Sequence, residues 1–454
     1  MRDNVTLLAG AEQVDAAPWP PFDPRAVDFL AELSAEVLRS PDTRRQEASA
    51  AFGFWCRRAR LEALAARHAS PLPRLGRGLA FHLAPANVPA LFAYTLAIGL
   101  LAGNANVVRL SSRRVEGEAP LLAALRRVLE RPEHAAVRAR TSLITYGRDD
   151  AVTADYCARC DARIVWGGDA TVAAVRAMPM PPHAVELCFP DRWSLAVFSQ
   201  RAFSALTPEE RGALAHRFYN DTYQMDQNAC SSPQLVLWLE DGGDPACRGR
   251  WWEAVAAEAA ERYPFGPFQA ARKLERLCLC AMTMEEPAVA AVERYQGNLL
   301  YVARLAGLSG NLPSLAGGFG LFFEADLPRL EALAPLLPPK AQTLVCGGLE
   351  PAEVAALLAR AGARGVDRVV PLGQALGQGA AIADAQKQAH TEVGVPLMAE
   401  VEDGLLLPRS GQGPKVCPAQ HIFPVLPVLL IGQHVLVAQL QRRFVLVRLG
   451  EEIQ

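Results

Sequence analysis

The residues best equipped for chemistry lie in Tyr223-Gln-Met-Asp-Gln-Asn-Ala-Cys-Ser-Ser-Pro-Gln234, where Cys230 stands among small and polar neighbours. Pro233 stops the preceding helical pattern from running on, which leaves the thiol in a helix-to-strand loop beside backbone donors. A nucleophilic cysteine needs this combination of access and thiolate stabilisation. By contrast, Cys188, Cys278, Cys280 and Cys346 sit in apolar runs and read as core packing. Cys157 and Cys160 form a CxxC with no second pair at zinc spacing, which reads as a surface helix rather than a metal site.

Three further stretches could hold a ligand. In Leu83-Ala-Pro-Ala-Asn-Val-Pro-Ala90, Asn87 follows a strand and precedes a helix. It either caps that helix or presents its amide in the crevice where open α/β sheets bind ligands. Gly103-Asn-Ala-Asn-Val-Val-Arg-Leu-Ser-Ser112 ends in a cation and two hydroxyls. Arg109 suits a ribose phosphate, and Ser111 or Ser112 a ribose or adenine edge; an ordinary arginine at a strand edge has the same pattern. Trp166-Gly-Gly-Asp-Ala-Thr171 runs from a strand through a glycine pair into a helix. The N–H groups of Gly167 and Gly168 suit a pyrophosphate, while a simple turn would use the glycines equally well.

The elements that must position these residues alternate. Apolar strands are expected at 79–83, 106–110, 142–146, 163–166 and 184–189, with helical segments at 89–101, 116–130, 149–159 and 170–178. Such alternation is the pattern of a mostly parallel sheet wrapped by helices. Residues 23–68 read as two covering helices, with Asp23-Pro24 as cap and first-turn proline. A long helix at 208–226 leads into the Cys230 loop and a strand at 234–239, so a second α/β lobe starts near residue 200. The chain of 454 residues suits two lobes.

Composition removes other classes. With 46 basic and 48 acidic residues the chain lacks the basic excess that nucleic-acid binding requires. Ten dilute cysteines and a start without a basic, apolar leader fit a reduced cytoplasmic protein. The longest apolar stretch, 423–440, is broken by Pro424, Pro427 and Gly432 and makes a poor membrane span.

Five stretches, in this order along the chain, resemble the LuxC-type long-chain acyl-CoA reductases, a branch of the aldehyde dehydrogenase superfamily. They are Pro85-Ala-Asn-Val-Pro89, Gly103-Asn-Ala-Asn106, Val165-Trp-Gly-Gly168, Asp226-Gln-Asn-Ala-Cys-Ser-Ser-Pro-Gln234 and Gly365-Val-Asp-Arg-Val-Val-Pro-Leu-Gly373. The resemblance implies an α/β, aldehyde-dehydrogenase-like fold: a helical layer (1–72), a Rossmann-like NAD(P) domain (73–200), a catalytic domain (201–376) and a divergent C-terminal tail (377–454). It also implies that Cys230 attacks an acyl thioester and forms an acyl-enzyme, which hydride from NADPH, or NADH, converts to aldehyde.

Under the same resemblance, Asn87 and the Cys230 N–H form the oxyanion hole, worth about 3 kcal/mol per donor. Arg109 faces the adenosine ribose, Gly167 and Gly168 the pyrophosphate. Glu186 stands where related enzymes keep a water-activating base; here it holds the nicotinamide or handles the thiol's proton. Glu324 is the candidate for the nicotinamide ribose. Expected partners are an acyl-CoA or acyl-protein substrate, an acyl-protein synthetase and further copies of the chain. Two alternatives stay open: oxidation of an aldehyde to an acid, and a silent subunit of an acyl-transfer complex.

Overall fold

The computed structural model describes residues 4–85, 89–112, 117–283, 288–309, 312, 315–375 and 398–400. They form two compact units that divide between Asp191 and Arg192.

The first unit runs β1 (Thr6–Gly10), α1 (Pro24–Arg39), α2 (Pro41–Arg44), α3 (Glu47–Trp55), α4 (Arg58–Arg67), β2 (Arg74–Gly76), β3 (Leu79–Leu83), α5 (Leu91–Leu101), β4 (Ala105–Leu110), α6 (Glu118–Leu129), α7 (Ala135–Ala139), β5 (Thr141–Thr145), α8 (Asp150–Arg159), β6 (Ala162–Trp166), α9 (Asp169–Arg176) and β7 (Val185–Phe189). Its main sheet has the order β1-β5-β4-β3-β6-β7. Only β1 is antiparallel. From β3 the chain builds outward through β4 and β5, then returns to place β6 and β7 on the other side. The order therefore reverses between β3 and β6, which is the topological switch point at which open α/β sheets bind ligands.

Both faces of this sheet are covered, so its strands are apolar almost throughout. Ala80, Val108 and Ile164 pack with α1, α3, α5 and α6 on one face; Phe81, Val107 and Val165 pack with α8 and α9 on the other. Asp23 caps α1 by accepting from Arg25 N, and Phe29, Leu30, Leu33 and Val37 form its buried stripe. Residues 24–67 hold four helices rather than the two expected: Pro41 forces Ser40 into an extended conformation (ψ 125°), which ends α1 and restarts the chain as α2. The strand β1 has no counterpart in the expected pattern, because five residues at a sheet edge are too few to show a period.

The second unit runs β8 (Trp193–Ser199), α10 (Gln200–Ser204), α11 (Pro208–Thr222), β9 (Pro233–Leu239), α12 (Cys247–Arg262), α13 (Pro267–Thr283), β10 (Val289–Tyr295), β11 (Leu300–Leu305), β12 (Leu321–Leu327), β13 (Ala341–Gly347), α14 (Pro351–Arg360) and β14 (Arg368–Pro371). The sheet order is β10-β11-β12-β9-β8-β13-β14, with only β10 antiparallel. The boundary expected near residue 200 moves back accordingly. Residues 193–199 pair with β9 and β13 in the middle of the second sheet, and every one of them is buried.

Of the tail expected at 377–454, only β15 (Met398–Glu400) lies within the described residues, paired antiparallel with β2. Among the described residues no helix is long and apolar enough to cross a membrane.

Candidate active site

In the first unit, Arg109, Leu83 and Val165 lie in register across β4, β3 and β6. The segments that follow them emerge together at the carboxyl edge beside the switch point: Ser111 and Ser112, then Ala84 and Pro85, then Gly167 and Gly168. The topology thus brings Arg109, Ser111, Ser112, Gly167 and Gly168 to one edge. Arg109 is half-buried and donates from Nη2 to Tyr146 O (3.2 Å), with its guanidinium 5.1 Å from the Tyr146 ring centroid. Its Nε is buried with no acceptor. A buried donor of this kind normally has a partner, and a phosphate oxygen would supply one.

The glycine turn is packed closely against its own neighbours. A Cβ on Gly168 would stand 3.0 Å from Asp191 Oδ2, and one on Gly167 3.1 Å from the Thr171 side chain. Gly168 is the N-cap of α9. Asp169, in the first turn, and Asp191 place two carboxylates here. They suit ribose hydroxyls better than a bare phosphate, which leaves Arg109 as the better anion partner. Asn87 lies outside the described residues.

Glu186 is the expectation that the structure corrects. It is the second residue of β7, near the amino end, opposite the edge that carries the glycine turn. Its Oε1 accepts from Arg163 Nε (2.9 Å) and Nη2 (2.5 Å), and its Oε2 from Arg176 Nε (2.7 Å). Burial raises its pKa, but the hydrogen bonds from Arg176 and Arg163 outweigh this and hold the carboxyl below its ordinary 4.5. A carboxylate tied to two guanidinium groups is a poor base; this one binds β6, β7 and α9 together.

The group's stability contribution is present above the ordinary carboxylate range and is lost as pH falls through the depressed folded value. We therefore expect Glu186→Gln to lower thermal stability at pH 7 and to match the wild type once the pH is well below 4.5. Turnover should change less than about threefold, since the residue touches no reacting group. A much larger drop in turnover at unchanged stability would restore a catalytic role.

In the second unit, Cys230 is exposed in the loop between α11 and β9. The loop begins with two residues in the left-handed region, Asp226 (φ 55°) and Gln227 (φ 61°), a strain that persists only where surrounding contacts impose it. The contacts are explicit. Tyr263 OH donates to Asp226 Oδ1 (2.5 Å), and Phe319 N donates to Asp226 O (3.0 Å). Gln227 Nε2 donates to Pro233 O and Leu321 O (3.1 Å each), and Gln234 Nε2 to Gln227 O (3.1 Å) and Ser232 O (3.2 Å). The two glutamines therefore staple the loop's ends together.

Beneath Cys230, Ser194 Oγ donates to Cys230 O (2.7 Å) and accepts from Thr343 N (3.1 Å), fixing the cysteine backbone to β8 and β13. This arrangement can perform nucleophilic attack on an electrophilic carbon.

Residues 56–267 match the acyl-CoA reductase (LuxC) family. No curated protein matches the chain in sequence. The fold is that of aldehyde dehydrogenases. Lactaldehyde dehydrogenase from Escherichia coli superposes with a TM-score of 0.53 at 15% identity, covering 76% of each chain. A NAD-dependent benzaldehyde dehydrogenase from Corynebacterium glutamicum gives 0.53 at 12%, covering 80% of this chain and 83% of the other. Succinate-semialdehyde dehydrogenase from Burkholderia pseudomallei gives 0.51 at 15%, covering 77% and 76%. The matched family is one of acyl-CoA reductases, and the solved structures show the fold.

The LuxC match spans Arg109, the glycine turn, Glu186 and the Cys230 loop, but ends before several residues that shape the second unit. Glu324, expected on the nicotinamide ribose, is buried on β12. Its Oε2 accepts from Trp238 Nε1 (2.9 Å) and Trp252 Nε1 (2.8 Å), so it is a core carboxylate.

The cysteines also sort differently from their local sequence. Cys157 and Cys160 are buried in the core rather than on a surface helix, while Cys278 is exposed on α13. Among the described residues no group of three or more histidine, cysteine or acidic side chains could hold a metal. Sequence reading also missed Ser194, Tyr263 and Arg276 as supports of the nucleophile loop. The left-handed Asp226-Gln227 pair was the available clue, yet neither residue type declares it.

Proposed function

We propose that the chain reduces a fatty acyl thioester, carried on coenzyme A or on a protein, to the aldehyde with NADPH. The observation that carries this reading is the exposed Cys230 on a strained, multiply stapled loop inside a segment matching the acyl-CoA reductases. The first unit supplies cofactor contacts: Arg109 for a phosphate, the turn at Gly167 and Gly168 for close backbone approach, Ser111 and Ser112 for hydroxyl edges. When bound, the reduced nicotinamide supplies the hydride.

The chain's own part begins with the Cys230 thiolate attacking the thioester carbon. The new C–S bond forms, the bond to the carrier sulfur breaks, and the carrier leaves as a thiol after taking a proton. Cys230 then holds the acyl group as a thioester until reduction at the acyl carbon, when its C–S bond breaks and the thiol is restored. The loop's bonds to Ser194, Tyr263 and the two glutamines keep the sulfur at one place through both displacements. Oxidation of an aldehyde to an acid would need a base to activate water, and the arginine pair on Glu186 removes the candidate for that role, which favours reduction. An acyl-protein synthetase partner and association with further copies of the chain belong to the same proposal.

The test is direct. Incubation with a long-chain acyl-CoA and NADPH should yield aldehyde in proportion to nucleotide oxidised. Arg109→Ala should raise KM for NADPH about tenfold while changing KM for NADH less than threefold, because it removes a charged contact to the 2′-phosphate. Equal effects on both nucleotides would remove Arg109 from phosphate recognition. Acid formed from aldehyde and NADP⁺ without coenzyme A would overturn the reductase reading.

A further inference from the structure

Arg276, in the third turn of α13, sets a half-buried cation against two neutral acceptors. Its Nη2 donates to Asn228 Oδ1 (2.8 Å), and its Nη1 to Gly317 O. Asn228 precedes Cys230 by two residues. We infer that Arg276 is a positioning residue for Cys230, acting through Asn228. This rests on the reading of Cys230 as nucleophile.

Several observations converge on the same fork. The guanidinium lies 4.9 Å from the Phe319 ring centroid, and Phe319 N in turn holds Asp226 O at the start of the nucleophile loop. Gly318 has φ +140°, and any side chain there would run into Arg276, so this turn leaves room for the guanidinium. A Cβ on neighbouring Gly317 would come within 2.7 Å of Gln234 Oε1, which places the same turn against the loop's far end.

Helix α13 is itself anchored. Lys273, one turn earlier, is fully buried and donates to Leu299 O (2.9 Å) and Asn298 O. Burial lowers the pKa of Arg276, yet a guanidinium stays charged. Partly desolvating it against an amide and a carbonyl, with no ion pair among the described residues, is costly and is unnecessary for an arginine that only decorates a helix. A planar fork reaching two separate segments is also a task that lysine cannot duplicate. Asn228 is exposed, so without Arg276 its side chain would rotate into solvent and the amino-terminal half of the loop would lose its tie to α13.

The experiment uses the full chain, wild type and the variants Arg276→Met, Arg276→Lys, Asn228→Ala and the double variant Arg276→Met/Asn228→Ala. Each is assayed for acyl-CoA reduction and for alkylation of individual cysteines by iodoacetamide, resolved by peptide mass. Exposed Cys278, on the same helix, is the internal reference. Arg276→Met should lower kcat by between about 10-fold and 100-fold with KM moved less than threefold, as expected when a reacting atom is misplaced. Cys230 alkylation should change at least about threefold while Cys278 alkylation does not. Arg276→Lys should recover part of the loss, and the double variant should be no worse than Arg276→Met, because both changes cut the same link.

Multiplying losses in the double variant, unaltered Cys230 alkylation, or Cys230 and Cys278 changing together would overturn the inference. If no variant, nor the wild type, reduces acyl-CoA but the alkylation cycle is non-additive, the proposed function fails and the positioning role stands. If Arg276→Met reduces acyl-CoA at the wild-type kcat, the positioning role fails and the function stands.

Discussion

Cys230→Ala should lower acyl-CoA-dependent NADPH oxidation by at least about a thousandfold, the loss typical when a covalent nucleophile is removed. The loop should survive the change. Its bonds run through the Cys230 carbonyl and through Asp226, Gln227, Asn228 and Gln234, none of which uses the thiol. Melting temperature and NADPH binding should therefore stay close to wild type, which separates lost chemistry from lost fold. Cys278→Ala is the matched control. That thiol is also exposed, but it sits within helix α13 rather than in the loop itself, and its removal should change turnover less than twofold. A mass adduct equal to the acyl group should appear on Cys230 when acyl-CoA is supplied without nucleotide. Turnover within tenfold of wild type in Cys230→Ala would end the acyl-enzyme mechanism.

Glu324→Ala should cost about 3 kcal/mol of stability. It deprives two buried indole N–H groups of their acceptor among the described residues, each worth about 1–3 kcal/mol when left unsatisfied, and it opens a cavity between them. Trp238 and Trp252 belong to an aromatic cluster with Phe198, Phe203, Phe218, Trp251 and Phe322 that fills one face of the second sheet. Loosening two of its members should spread through the face. At about 2–4 °C per kcal/mol for a unit of this size, the melting temperature should fall by roughly 6–12 °C. Glu324→Gln, which keeps one acceptor oxygen, should fall less. KM for NADPH should not change in either variant, since the carboxylate lies in the core and not at the cofactor edge. A selective rise in that KM with unchanged melting would return Glu324 to the cofactor.

The parts legible in the sequence were those whose cause is local. Alternating apolar runs placed β3 and β6 to within a residue of their ends, because strands buried on both faces must be apolar throughout. Pro233 and the small residues around Cys230 marked an exposed thiol, because a proline that halts the helix leaves its neighbours outside regular structure. Arg109 and the glycine pair were legible as a strand end and a turn into a helix, because both announce themselves in composition.

The parts that were not legible depend on partners far away in the chain. Glu186 meets Arg163 across 23 residues, Arg276 meets Asn228 across 48, and Trp238 meets Glu324 across 86. No local pattern distinguishes a glutamate that serves as a base from one held by two arginines, or a core carboxylate from a ribose ligand. The CxxC pair and Cys278 exchanged their expected places for the same reason: burial of a helical residue is set by what packs on that face. By itself, then, the sequence determined the alternation of elements and singled out the Cys230 loop as the exposed candidate. The tertiary structure decided which side chains hold that loop, and which acidic groups are scaffolding, because hydrogen bonds and burial are properties of the folded neighbourhood rather than of the residue.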